Sequence, residues 1–114
     1  MGAIEKLAET IEARKESSAE QSYTRYLFEK GLDKILKKIG EESAETIIAA
    51  KEYRFNPTDK TRADIVGEVC DLAYHVLVMT AELDIPLNLL EEELEKRAEK
   101  SGNLKTIKSV DKDS

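Results

Sequence analysis

One cysteine, one histidine, two prolines and five glycines are all that this 114-residue chain holds of those residue types. A single thiol, Cys70, allows no intrachain disulfide. With His75 as the only imidazole, a zinc site of cysteine and histidine ligands is excluded, so any metal site must be built from oxygen donors. No apolar run approaches the roughly 18 residues that a membrane span requires. No basic-then-apolar leader is readable either, and a cytoplasmic protein is the expectation. A net charge of -6 argues against a nucleic-acid polymer or an anionic membrane as the main partner.

Charge and helix-forming residues are what the chain has in quantity. Hydrophobic residues make up 40% and charged residues 37%, the balance of a helix-rich soluble domain. The reading is one all-α domain over residues 1–102 and a polar tail over 103–114. A helical chain this short buries little apolar area for its length, so part of its core is expected to be an interface with a second copy.

Ile4, Leu7, Ala8 and Ile11 recur at helical spacing and place a first helix at about Ala3–Lys15. After Ser17 and Ser18, the stretch "SYTRYLFEKG" reads as a short helix or turn ending at Gly31. Leu32, Ile35, Leu36, Ile39, Ser43, Thr46, Ile47 and Ala50 form one stripe of a helix from about Leu32 to Tyr53, which Asn56-Pro57 stops. Thr58 or Asp59 then caps a helix over about Lys60–Leu83. Its two adjoining apolar faces are Ile65, Val69, Leu72, Val76 and Val66, Cys70, Ala73, Leu77. At about 100° per residue they cover over half its circumference, which requires neighbours on two sides. This is the predicted central helix, packed on its own chain and on a dimer partner. A last helix starts at Pro86, carries Leu87, Leu90 and Leu94, and stops at Gly102. The protomer is expected to resemble a four-helix bundle.

The chemistry-bearing residues sit on the two long helices. One carries "GEESAE", with Glu41, Glu42 and Glu45; the other carries "EVCD", with Glu68 and Asp71. Acids at i and i+3 stand on one helix face, about 5–6 Å apart at Cβ. Two antiparallel helices, roughly 8–10 Å between axes, bring both pairs to one pocket. Like charges at that range raise each other's pKa or recruit a cation. Oxygen donors alone favour a hard ion, Mg²⁺ or Mn²⁺, which shares itself with substrate phosphates. A nucleotide polyphosphate is then the natural ligand, and hydrolysis of its anhydride the natural reaction. Asp64, Glu68, Asp71 and His75 form the polar stripe of the otherwise apolar helix. Lys34 and Lys38 lie one to two turns from the acids, placed to meet phosphate oxygens.

Glu-Glu-x-x-Glu followed, after 22 residues, by Glu-x-x-Asp resembles the signature of the all-α nucleotide pyrophosphohydrolases, a MazG-like superfamily. Within it, "SYT" at 22–24, "KGLDKILKKIGEE" at 30–42, "DLAYH" at 71–75 and "EKRAEKSG" at 95–102 look most like the phosphoribosyl-ATP pyrophosphohydrolase branch. That resemblance implies Mg²⁺-dependent hydrolysis of phosphoribosyl-ATP to phosphoribosyl-AMP and pyrophosphate, in histidine biosynthesis, by a cytoplasmic homodimer. It makes Glu42, Glu45, Glu68 and Asp71 the metal ligands, and Glu41 a further ligand or the base that orients water. Lys34, Lys38, Arg97 and Lys100 would meet phosphate, as would Ser22, Tyr23 and Thr24 unless they cap a helix. His75 would hydrogen-bond Asp71 and orient it; Tyr74 and Cys70 read as core or interface. Two other readings are a MazG-type enzyme acting on nucleoside triphosphates and a non-catalytic dimerisation module whose acids merely solubilise it. The second predicts that neutralising Glu68 or Asp71 is harmless.

Overall fold

Local signals set several helix ends in the computed structural model, which describes residues 2–16 and 22–101. Helix α1 spans Ala3–Lys15, α2 Tyr23–Lys30, α3 Leu32–Phe55, α4 Asp59–Glu82 and α5 Leu87–Ser101. The chain is all-α, with no strand among the described residues. The stretch left open as helix or turn is a helix, α2. Ser22 caps it, its Oγ accepting from the Arg25 N–H at 3.2 Å, which satisfies an otherwise orphaned donor. Gly31 separates α2 from α3 with φ +92°, a left-handed backbone that a side chain would strain. Thr58 caps α4 in a reciprocal pair with Thr61, each side chain bonding the other residue's N–H. Pro86 lies just ahead of α5 rather than inside it. Gly102 and the tail fall outside the described residues.

α3 and α4 form an antiparallel hairpin closed by residues 56–58, and α1 and α2 pack across its open end. The core joins all four: Ile11, Leu27, Ile35, Leu77, Val78 and Ala81, with Leu7, Phe28, Ile39 and Tyr74 against them. Arg25 donates to the Lys15 carbonyl at 2.7 Å and so caps the end of α1. Lys15 in turn donates to the Ala81 carbonyl at 2.7 Å and to Asp84 at 2.5 Å, tying α1 to the end of α4.

Two details of the apolar pattern differ from the sequence reading. Val78, fully buried at the centre of the core, belongs to neither apolar face assigned to its helix. Leu36 and Ile47 of the α3 stripe are exposed, at 43% and 66%. Only the first turns of α3 are roofed by α1 and α2. Further along, the stripe packs α4 on one edge and is open on the other. α5 makes sparse contact with the rest of the chain.

Candidate metal centre

The hairpin register decides which acids meet. Thr46, in the middle of α3, donates to the Glu42 carbonyl at 2.7 Å and reaches the Glu68 carbonyl at 3.4 Å, which pins the two helices at this level. One turn toward the core, Glu42 faces Asp71. Glu42, Glu68 and Asp71 each offer a carboxylate oxygen within 4.8 Å of the others. Glu45 stands within hydrogen-bonding reach of Glu68. Glu41 is on the exposed side, bonded to Lys38 at 3.2 Å.

The electrostatics are unbalanced. Glu42 is buried at 6% exposure, and its only ion-pair partner among the described residues is Lys38, 3.8 Å away. Glu42 Oε2 and Glu68 Oε2 are shut off from solvent with no hydrogen-bond partner among the described residues. Loss of hydration, then the neighbouring Glu45 and Glu42, pushes the Glu68 carboxyl up to about 7. Glu41, by contrast, is held below the usual carboxylate range by its bond to Lys38, and the same bond raises the lysine. Buried carboxylate oxygens without a donor are costly unless a cation completes them. Converging oxygens with neither sulfur nor imidazole among them suit a hard divalent ion.

The site opens into a cleft of about 510 Å³ lined by Glu45, Glu52, Asp64, Gly67, Glu68 and Asp71. Glu52 was missed in the sequence, although it lies two helical turns from Glu45 and so shares its face. A larger cleft of about 620 Å³ lies elsewhere, among α1, the end of α4 and the start of α5. It is lined by Glu5, Glu9, Glu12 and Asp84 beside apolar side chains, but among the described residues these acids do not converge to ligating distance as Glu42, Glu68 and Asp71 do.

His75 is buried at 5% exposure and bonds the Asp71 main-chain carbonyl at 2.8 Å, not the Asp71 carboxylate. This corrects the expectation that it orients that carboxylate: four residues along a helix, the ring reaches back to the carbonyl. A carbonyl only accepts, so Nδ1 carries the hydrogen and Nε2 accepts from the Tyr23 hydroxyl at 3.0 Å. Thr24 bonds the Tyr74 hydroxyl, and Ser22 is the α2 cap, so all three hydroxyls of "SYT" already have partners inside the chain. Tyr23, Tyr26, Tyr74 and His75 form a run of ring contacts that no spacing rule could disclose. Lys34 is half-buried on α3. Arg97 and Lys100 are exposed on α5, Arg97 beside Glu93 at 3.0 Å, and neither lines the acidic cleft.

Residues 4–98 match the model of the family described as phosphoribosyl-ATP pyrophosphohydrolase. The chain belongs to that family. A phosphoribosyl-ATP pyrophosphatase of Clostridium botulinum (strain Kyoto / Type A2) is 52% identical over 102 residues, covering 90% of this chain and 86% of its own. One from Clostridium acetobutylicum is 49% identical over 102 residues, with the same two shares. One from Listeria welshimeri is 48% identical over 105 residues, 92% of this chain and 94% of its own. The phosphoribosyl-ATP pyrophosphohydrolase match spans every carboxylate of the site and both helices that hold them.

Proposed function

We propose that this chain hydrolyses phosphoribosyl-ATP to phosphoribosyl-AMP and pyrophosphate, the reaction named for its relatives, in histidine biosynthesis. The observation that carries the reading is the meeting of Glu42, Glu68 and Asp71 with two buried oxygens lacking donors. In this reading Glu42, Glu45, Glu68 and Asp71 hold Mg²⁺, with Mn²⁺ as a substitute. Bound there, the ion supplies Lewis acidity toward the phosphate oxygens and stabilises the leaving pyrophosphate. Water adds to the α-phosphorus, the bridging α–β P–O bond breaks, and the proton of the attacking water needs an acceptor. In this reading Glu41, on the exposed side of the same helix turn as Glu42, is that acceptor. Lys34 and Lys38, with Arg97 and Lys100 from α5, are assigned to phosphate. Ser22, Tyr23 and Thr24 shape the rim through their internal bonds. The deciding assay is pyrophosphate release from phosphoribosyl-ATP, with and without Mg²⁺, beside ATP at equal Mg²⁺. Release that is equal or faster from ATP would point to a general nucleoside triphosphate enzyme, and release without a divalent ion would remove the metal reading.

The same proposal includes a homodimer through α4. Val66 and Val69 of α4 are 57% and 50% exposed, Ile47 and Ile48 of α3 66% each, and Leu89 and Leu94 of α5 50% and 55%. Large apolar side chains this exposed on three helices are what a second copy would cover. The radius of gyration, 16.6 Å, exceeds the roughly 13 Å of a compact domain of about this length. The missing side of the four-helix packing is then supplied by the second copy. Val69→Glu is expected to give a protomer-sized species in sedimentation velocity where the parent chain gives a dimer. A parent chain that sediments as a monomer would refute this part.

A further inference from the structure

Lys38 is paired with two acids at once. Its Nζ lies 3.2 Å from Glu41 Oε2 and 3.8 Å from Glu42 Oε1, and 24% of its side chain is exposed. The shorter contact is a hydrogen bond; the longer one is charge compensation only. Glu42 therefore keeps one oxygen near a cation, while the other, Oε2, has no hydrogen-bond donor among the described residues. Burial raises the pKa of the Tyr23 phenol and the charge of Lys38 opposes that rise, which puts the two groups within electrostatic reach. The Tyr23 hydroxyl hydrogen is committed to His75, so the phenol presents lone pairs outward. Lys38 thus partly compensates a buried acid that lacks a full counter-charge, while its own side chain stays partly open to solvent.

We propose that Lys38 is an exchangeable counter-ion. It compensates Glu41 and Glu42 while the acids hold no metal, and it is released to the substrate's phosphates when a divalent cation takes Glu42. This rests on the metal reading above. A cation among Glu42, Glu68 and Asp71 both removes the reason for Lys38 to lean on Glu42 and repels it. The lysine's four-carbon stem swings the ammonium away without moving the helix. The exchange makes one side chain oppose metal binding and favour substrate binding, so removing it must shift the two affinities in opposite directions. A lysine that only braces the helix would weaken both or neither.

The test uses the full chain and Mn²⁺ as the probe, with free Mn²⁺ read by its paramagnetic resonance signal at fixed pH and salt. The dissociation constant is compared among the parent, Lys38→Met, Lys38→Gln, Lys38→Arg and Lys37→Met. Lys37 is the neighbouring exposed lysine and controls for loss of one charge. Either neutral variant at position 38 is expected to bind Mn²⁺ about fivefold more tightly and to raise KM for phosphoribosyl-ATP about tenfold. Lys38→Arg should stay near the parent in Mn²⁺ affinity, and Lys37→Met within about twofold in both measurements. Neutral variants that match Lys37→Met in Mn²⁺ affinity, or bind it more weakly, overturn the exchange alone. A parent chain that takes up no Mn²⁺ overturns the metal reading together with it.

Discussion

Glu68→Gln should lose at least about a hundredfold in the rate of pyrophosphate release while its metal-free form becomes more resistant to denaturation. The two effects share one cause. Glu68 carries an oxygen with no donor, beside Glu42 and Glu45, and its carboxyl is pushed up to about 7 from an ordinary 4.5. A carboxyl raised on folding binds more protons in the native state than in the unfolded chain between those two values. Metal-free stability therefore falls as pH rises from about 4.5 through about 7, and above that the full penalty of the ionised group is present. Glutamine cannot ionise, so the variant should lose that part of the pH slope and gain most at pH 8 in chelator. With Mg²⁺ present the order should reverse, because only the parent gains binding energy from the ion. Asp71→Asn should repeat the loss of rate. Activity in either variant within about threefold of the parent would leave the acids as a solvated face and favour the non-catalytic reading.

The acids were legible because helical spacing is a local rule. Glu42 and Glu45, or Glu68 and Asp71, must share a face whatever the tertiary fold. Their meeting across helices also followed once Asn56-Pro57 marked a short turn between two long helices, since a hairpin this tight is antiparallel. The helix limits were readable for the same reason: Ser22, Gly31, Asn56 and Thr58 act on their immediate neighbours. What depends on register between helices was not legible. Glu52, which lines the cleft, looks like any surface glutamate in the sequence. The bond from Tyr23 to His75 joins residues 52 positions apart, and nothing in either motif announces the other. The apolar stripes failed where they needed to know what covers them: Val78 is buried and Ile47 exposed because α1 and α2 roof one end of the hairpin only.

That unevenness separates stability from chemistry along α3, and Ile35→Ala tests the separation. Ile35 is fully buried against Leu27, Leu77 and Val78, whereas Leu36, the next residue, is 43% exposed. Truncating Ile35 removes three carbons from a packed site and leaves a cavity, at about 3 kcal/mol. Leu36→Ala removes as much hydrocarbon from a partly wet position and should cost under about 1 kcal/mol in dilute chain. Glu42 lies two turns beyond Ile35 on the same face, and its neighbours at that level are Thr46, Glu68 and Asp71 rather than the core. Ile35→Ala should therefore lower the urea midpoint substantially and still bind Mn²⁺ within about twofold of the parent at low temperature. The sign is opposite to that of Glu68→Gln, which should keep the fold and lose the ion. An Ile35→Ala loss below about 1 kcal/mol would contradict the core as placed here. A folded Ile35→Ala chain that no longer binds Mn²⁺ would show instead that the acids depend on the core for their register.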